Sequence, residues 1–290
     1  MLKRTIEKII VPVDGSHSCL RAREVAAVIA KKFGSTVTAV HVISHDFMHP
    51  ELKAHYQLPP LILSELDKSH QKAGRKIIQN AEDFFKEENI PVQTELFRAE
   101  DPAEGILQTV EKSNADLLIM GNISETQNNR FALGSVAEKI VLYAKCPVLI
   151  AKRKTAVRKL LVAVDGSEQA NKAVDYAVRL CQRFDEAKIT LLHVDRLQEV
   201  DEFFKLEPKY AQECGEYILS ATAERIVGVP YDTRLEFGKP VKTILKVAKE
   251  DDFDIIILGS RGESSVKRYL LGSVSADVSM HSQRSVLIVR

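Results

Sequence analysis

The chain has 290 residues, 45% of them hydrophobic, which is enough for two domains of ordinary size, each with its own core. Forty-one Lys and Arg against forty Asp and Glu leave a formal charge of +1, so no global field draws the protein to nucleic acid or to an acidic membrane. Its four cysteines (Cys19, Cys146, Cys181, Cys214) are scattered without a C-x2-C pair, which argues against a zinc site or a disulfide framework and for a reducing, cytoplasmic setting.

In chain order, MLKRTIEK leads into IIVPV, too short a run for a signal peptide, which stops at Pro12 and Asp14 and reads as a first strand. No later run approaches the ~20 apolar residues of a membrane span. DGSHS (Asp14 to Ser18) sets Ser, His and Asp side by side, but catalytic triads are assembled by the fold; these neighbours predict a turn, a helix cap and a first helical turn. TVTAVHV is a second strand, and His41 within it reads as a packed or hydrogen-bonded histidine. The irregular segment SHDFMHPELKAHYQLPP follows, with His45, His49, Glu51 and His55 too loosely spaced to read as a metal site. A long helix is predicted over Leu61 to Glu88, with exposed-looking Leu61, Ile62 and Leu66 near its start and Leu58 just before it; core packing is the default for them, a contact surface the alternative. PVQTELF, DLLIM and PVLIA complete a set of short β-branched runs separated by helical period, and the charged connector KRKTAVRK (Lys152 to Lys159) follows.

The pattern then begins again. KIIVPVDGS recurs as KLLVAVDGS at an offset of 151, and TVTAVHV as KITLLHV at 152. ADLLIMGN pairs with FDIIILGS, LGSV with LGSV, and PVLIAKR with SVLIVR, all at 138. One drop of 14 means that the first copy carries 14 extra residues between Val42 and about Ile90, in a loop and helix start. A period near 140 is a duplicated domain, with copies at 1–153 and 154–290. Strands apolar throughout, such as LLVAV and DIIIL, suit a parallel sheet covered on both faces, and Ala170, Ala173, Val174, Ala177, Leu180, Cys181 and Phe184 share one helix face. The class is α/β, doubly wound, twice.

The second copy follows its fourth strand with GSRGESSVKRYLLGS (Gly259 to Ser273), a G-x2-G-x9-G-S spacing. In open parallel sheets ligands bind beyond the carboxyl ends of the strands, and glycines there let backbone N–H groups approach an anion. Gly272-Ser273 opens the helix SVSADVSMH, whose amino end favours phosphate; Ser273 could cap it or offer its hydroxyl to a phosphate oxygen. Lys267 and Arg268 in the spacer, with Arg261, could add charge-assisted contacts. The same residues also suit plain turns: Asp165-Gly166 a turn, Ser167 an N-cap, Glu168 a dipole partner.

Together with V-x-V-D-G-S and L-H-V, that motif makes each half resemble a universal stress protein domain, over nearly all 290 residues. The resemblance implies a five-stranded parallel sheet of order 3-2-1-4-5 with helices on both faces, and two such domains packed as a pseudo-dimer through their last strands. It implies a regulator of the stress response that binds ATP, ADP or AMP, with Mg2+ or Mn2+ as an accompanying ion. Ala163, Val164 and Asp165 would then border the adenosine and the backbone of Val194 the adenine edge. Gly259, Arg261 and Gly262 would run along ribose and phosphates, and Arg268, Gly272, Ser273 and Val274 would hold the phosphate tail. A regulatory protein partner and pairing of whole chains are compatible with it, as is ligand-dependent ordering of residues 260–271.

The first copy departs from the motif. Asp14, Val42, Gly121, Gly134 and Ser135 match, and Arg130 matches Arg268, but Ser124 stands in place of Gly262, Asn129 of Lys267 and Glu100 of Gly238. Were φ > 0 needed at that glycine, serine would cost about 1–2 kcal/mol. The expectation is a C-terminal half that binds nucleotide and an N-terminal half that binds weakly, differently or not at all. No GxxxxGK[ST] loop and no general base beside the cradle are present, so no dedicated ATP-consuming enzyme is expected. A slow ATPase or nucleotidyl-transfer activity, and a nucleotide-independent interaction protein, are the alternatives.

Overall fold

A computed structural model describes residues 5–44, 59–122, 133–153, 156–196, 208–262 and 271–290. The strands are β1 (Lys8–Pro12), β2 (Thr36–Ser44), β3 (Val92–Ala99), β4 (Leu117–Gly121) and β5 (Val148–Ala151) in the first half, and β6 (Lys159–Ala163), β7 (Lys188–Asp195), β8 (Tyr231–Phe237), β9 (Ile255–Gly259) and β10 (Ser285–Val289) in the second. The helices among the described residues are α1 (His17–Phe33), α2 (Pro60–Glu87), α3 (Pro102–Ser113), α4 (Ser135–Tyr143), α5 (Glu168–Cys181), α6 (Pro208–Ala223), α7 (Pro240–Glu250) and α8 (Ser273–His281).

The ten strands among the described residues form one sheet of order β3-β2-β1-β4-β5-β10-β9-β6-β7-β8. Within each half the pairs are parallel and the order is 3-2-1-4-5, as the family resemblance implies. The halves meet where β5 and β10 pair antiparallel, Leu149 opposite Leu287. That single antiparallel pair turns two parallel sheets into one and relates the halves by a pseudo-two-fold. Because side chains alternate along a strand, Ile9 and Val11 serve one apolar layer and Ile10 the other. The first layer is roofed by α1, α2, α5 and α6, the second by α3, α4, α7 and α8, and both run across the seam. Reciprocal contacts mark the axis: Arg183 lies 5.6 Å over the Phe33 ring, and Lys32 Nζ 5.8 Å over that of Phe184.

The DGS signature does the same work twice. Gly15 and Gly166 take left-handed φ values of 84° and 83°, and the carboxylates of Asp14 and Asp165 accept the N–H of Ser16 and Ser167 at 2.9 and 3.1 Å. Ser16 and Ser167 then cap α1 and α5, each accepting at 3.2 Å from the N–H three residues on. The turn-and-cap reading of DGSHS therefore holds. Ser167→Ala is expected to cost about 1 kcal/mol, measurable by denaturant unfolding of the full chain.

Length differs most between the halves at α2, 28 residues against 16 in α6. The segments 45–58 and 197–207, with His45, His49, Glu51, His55 and Leu58, lie outside the described residues. Leu61 and Ile62 are exposed at the start of α2. Three cysteines are buried, and burial pushes the thiols of Cys146 and Cys181 up to about 12, which removes them as nucleophiles at neutral pH. No helix among the described residues is long and apolar enough to cross a membrane.

Candidate functional site

Beyond the carboxyl ends of β6, β7 and β9 lies a cavity of about 920 Å³. Its position follows from topology. Strand β6 ends opposite Leu192 while β7 runs on to Asp195, paired there only with β8, so the β6-side edge of Val194 borders open space. This is the switch point where chain connections leave β6 and β9 toward opposite faces of the sheet. Ala163, Val164, Asp165, Val194, Gly259, Arg261, Gly262, Gly272, Ser273 and Val274, singled out from the sequence, all line this one cavity. Arg268 and Lys267 lie outside the described residues.

Three of the motif's residues have reasons that differ from those the spacing led one to expect. Gly259 is demanded by packing: a Cβ there would sit 2.6 Å from the carbonyl carbon of Gln169 and 2.9 Å from the nitrogen of Ala170, in the first turn of α5. Gly121 meets Ser18 in the same way. Gly262, contrary to the expectation of a left-handed backbone there, does not have a positive φ; a Cβ would instead fall 2.3 Å from Oδ2 of Asp165, so the glycine is needed for close approach. Ser273 is the first residue of α8 and not its cap. The cap is Gly272, at φ −72°, without a side-chain hydrogen bond, so the amino end of α8 opens toward the cavity with no serine across it. Packing does not require glycine at 272, because a Cβ would lie 3.4 Å from the nearest atom, Cα of Arg261. It would, however, take up room between Arg261, the N–H of Gly262 and α8.

The walls include residues that sequence reasoning missed. Ile218 of α6 and Ile244 of α7 reach the cavity from the two opposite layers, with Leu192, Leu258 and Pro240. Their only signal was helical apolar period, which marks core and ligand wall alike. Asp195, mostly buried, also lines it, and its carbonyl accepts the N–H of Gly238, held at φ 130°. His193 Nδ1 lies 2.8 Å from the carbonyl oxygen of Val164, as His41 Nδ1 lies 2.6 Å from that of Val13. That bond makes Nδ1 the protonated nitrogen, a hydrogen-bonded histidine as expected. Gly74 and Gly215 let α2 and α6 lie close over these rings, where a Cβ would come within 3.1 and 3.3 Å of Cδ2. Outside the cavity's lining, burial, with the charge of Arg261 adding to it, holds the Arg290 guanidinium below its ordinary range.

The first half repeats part of this. Gly134 caps α4 without a side-chain bond, but Glu100 lacks the positive φ of Gly238, so the backbone leaves β3 and β8 differently. Ser124, Asn129 and Arg130 lie outside the described residues. A smaller cavity of about 490 Å³ lies between α1 and α2, beside Arg23 and Phe84. Among the described residues no three His, Cys, Asp or Glu side chains converge to hold a metal ion.

Comparison with known proteins agrees with this architecture. A crystal structure of a universal stress protein from Archaeoglobus fulgidus superposes on the whole chain with a TM-score of 0.69, covering 98% of that protein at 22% identity, which speaks to the fold alone. A universal stress protein of Methanocaldococcus jannaschii is 36% identical over 149 residues, 51% of this chain and 82% of that one. YxiE, a universal stress protein of Bacillus subtilis, is 38% identical over 146 residues, 46% of this chain and 98% of its own. The model of the universal stress protein family matches residues 5–152 and again 156–290. Two tandem copies of one fold, matched separately and almost end to end, mean that the chain belongs to the universal stress protein family, with two of its domains in one polypeptide.

Proposed function

We infer that the second domain binds an adenine nucleotide, ATP or its di- or monophosphate, and that the chain acts as a nucleotide-responsive regulator in the response to stress. The observation that carries this is one cavity with two chemically different ends. Ile218 and Ile244 line it from the two opposite layers, apolar walls suited to a flat ring, beside the strand edge of Val194. Opposite stand the uncapped amino end of α8, Arg261 and the backbone of Gly262, a combination suited to phosphate. The room at Gly272 that a Cβ would take is the room such a ligand needs. Asp165 would lie between the two ends, within reach of the ribose hydroxyls. A divalent ion would be held by the phosphates themselves, since no side-chain cluster among the described residues provides for one.

The reading assigns one nucleotide site per chain. Isothermal titration of the full chain with ATP, ADP and AMP is expected to give a stoichiometry near one. Two equivalent sites would refute the asymmetry between the domains, and no heat with any of the three would refute the nucleotide reading.

A further inference from the structure

The seam is closed by two reciprocal reaches. Lys152, just after β5, is 5% exposed, and its Nζ donates to the carbonyls of Ser279 at 2.6 Å and Met280 at 3.4 Å in the last turn of α8. Arg290, just after β10, donates through Nη2 to the carbonyl of Val141 in the last turn of α4. Both the two cations and the two carbonyls stand 138 residues apart, the offset of the repeat. Each domain thus places a cation at the negative end of the other domain's last helix.

The helices between differ in one respect. In α8 the hydroxyl of Ser279 donates to the carbonyl of Ser275, and that of Ser275 to the carbonyl of Gly259, both at 2.7 Å. Gly259 and Ser275 line the cavity, and both serines are buried. Buried hydrogen bonds, separate from one another but joined through the backbone of α8, therefore lie between the candidate site and the Lys152 ammonium of the other domain. In α4 the corresponding residues are Ala137 and Val141, which have no hydroxyl to offer.

We propose that α8 couples the nucleotide site to the first domain: an anion at its amino end and an ammonium on Lys152 at its carboxyl end stabilise each other, so that binding draws a proton onto Lys152 and tightens the seam. The proposal rests on the nucleotide reading above. The helix dipole favours each charge separately; what couples them is their direct attraction along a helix about 14 Å long, in a buried setting where it is weakly screened. Burial pulls Lys152 down to about 7, so near neutrality its charge is poised to respond to a second charge. Charged and titratable residues on the adjoining segments include Asp277 and His281 of α8, Arg284 ahead of β10, and Arg153 next in the chain. Arg153 pairs with Asp252 and Asp254, and Arg284 with Asp252. The sign follows from linkage: the protonated lysine favours the bound anion, so affinity falls as pH rises through the Lys152 midpoint.

The test is titration of the full chain with ATP between about pH 6 and about pH 8.5, beside Lys152→Arg, which keeps its charge throughout. The nucleotide's own phosphates titrate alike in both, so the comparison isolates Lys152. Wild-type affinity is expected to fall with pH by about three- to tenfold more than that of Lys152→Arg. Lys152→Met should show neither the added slope nor the tighter binding at low pH. The Lys152 Cε resonance should titrate near 7 in the ligand-free chain and at a higher pH with saturating ATP. Normal ATP binding with equal slopes in wild type and Lys152→Arg, or a midpoint that ATP does not move, would overturn the coupling and leave the site standing. No ATP binding at either pH would sink both.

Discussion

Gly262→Val is expected to weaken ATP binding at least about tenfold while leaving the melting temperature of the full chain within a degree or two, a difference of about 1.4 kcal/mol or more in binding alone. The reason lies in what the new side chain would meet. Cβ at 262 would fall 2.3 Å from Oδ2 of Asp165, the far end of a side chain and not a piece of backbone. The collision can be relieved, but only by turning Asp165 or by drawing residues 261–262 away from β6. Turning Asp165 loosens its other oxygen from the N–H of Ser167, which it accepts at 3.1 Å. Either movement remodels the cavity where ribose and phosphate would lie and leaves the core of β6, β9 and β10 untouched. Calorimetric titration and a thermal melt of the same preparation check both halves of the expectation. Wild-type affinity in Gly262→Val would remove Gly262 from the site.

Gly259→Ala is expected to do the opposite, damaging the fold first. Its Cβ would meet the main chain of Gln169 and Ala170 at 2.6 to 2.9 Å, and main chain at the start of a capped helix has no rotamer to change. Either β9 or the first turn of α5 must shift inside a fully buried layer. Overpacking of this kind costs about 1–3 kcal/mol. For a protein of this size that lowers the melting temperature by roughly 2–5 °C, measurable by calorimetry without any ligand. Gly121→Ala, against Ser18, is the matching change in the first domain and should destabilise by the same mechanism. Melting at the wild-type temperature in Gly259→Ala would mean that α5 can yield there. The motif therefore contains glycines of two kinds, one that lets a helix close on a strand and one that leaves a carboxylate its place.

Much of this molecule was legible in the residues alone, because the signals concerned act within one turn or one strand. Repetition at offsets of 151 and 138 showed two copies, and unbroken apolar runs showed strands covered on both faces. The DGS turns set their own caps within three residues, and the long helix predicted over Leu61 to Glu88 is seen at Pro60–Glu87. The pairing of last strands, drawn from the family likeness, is the antiparallel β5–β10 seam. What periodicity could not reveal depends on groups that only folding brings together. Gly259 is a glycine because of Gln169, some ninety positions away, and Gly262 because of Asp165; spacing singled out both residues but gave the physical reason of neither. Ile218 and Ile244 become cavity walls only because α6 and α7 lie on opposite faces of one strand edge. Ser275 and Ser279 read as ordinary polar positions of a short helix until the second domain's core closes over them. Lys152 looks like part of a charged linker, yet it is buried, because β5 pairs antiparallel with β10 and so brings it against the end of α8. Local chemistry determines elements and their ends, whereas close approach, burial and the partners of a charge are decided by which surfaces the whole chain presses together.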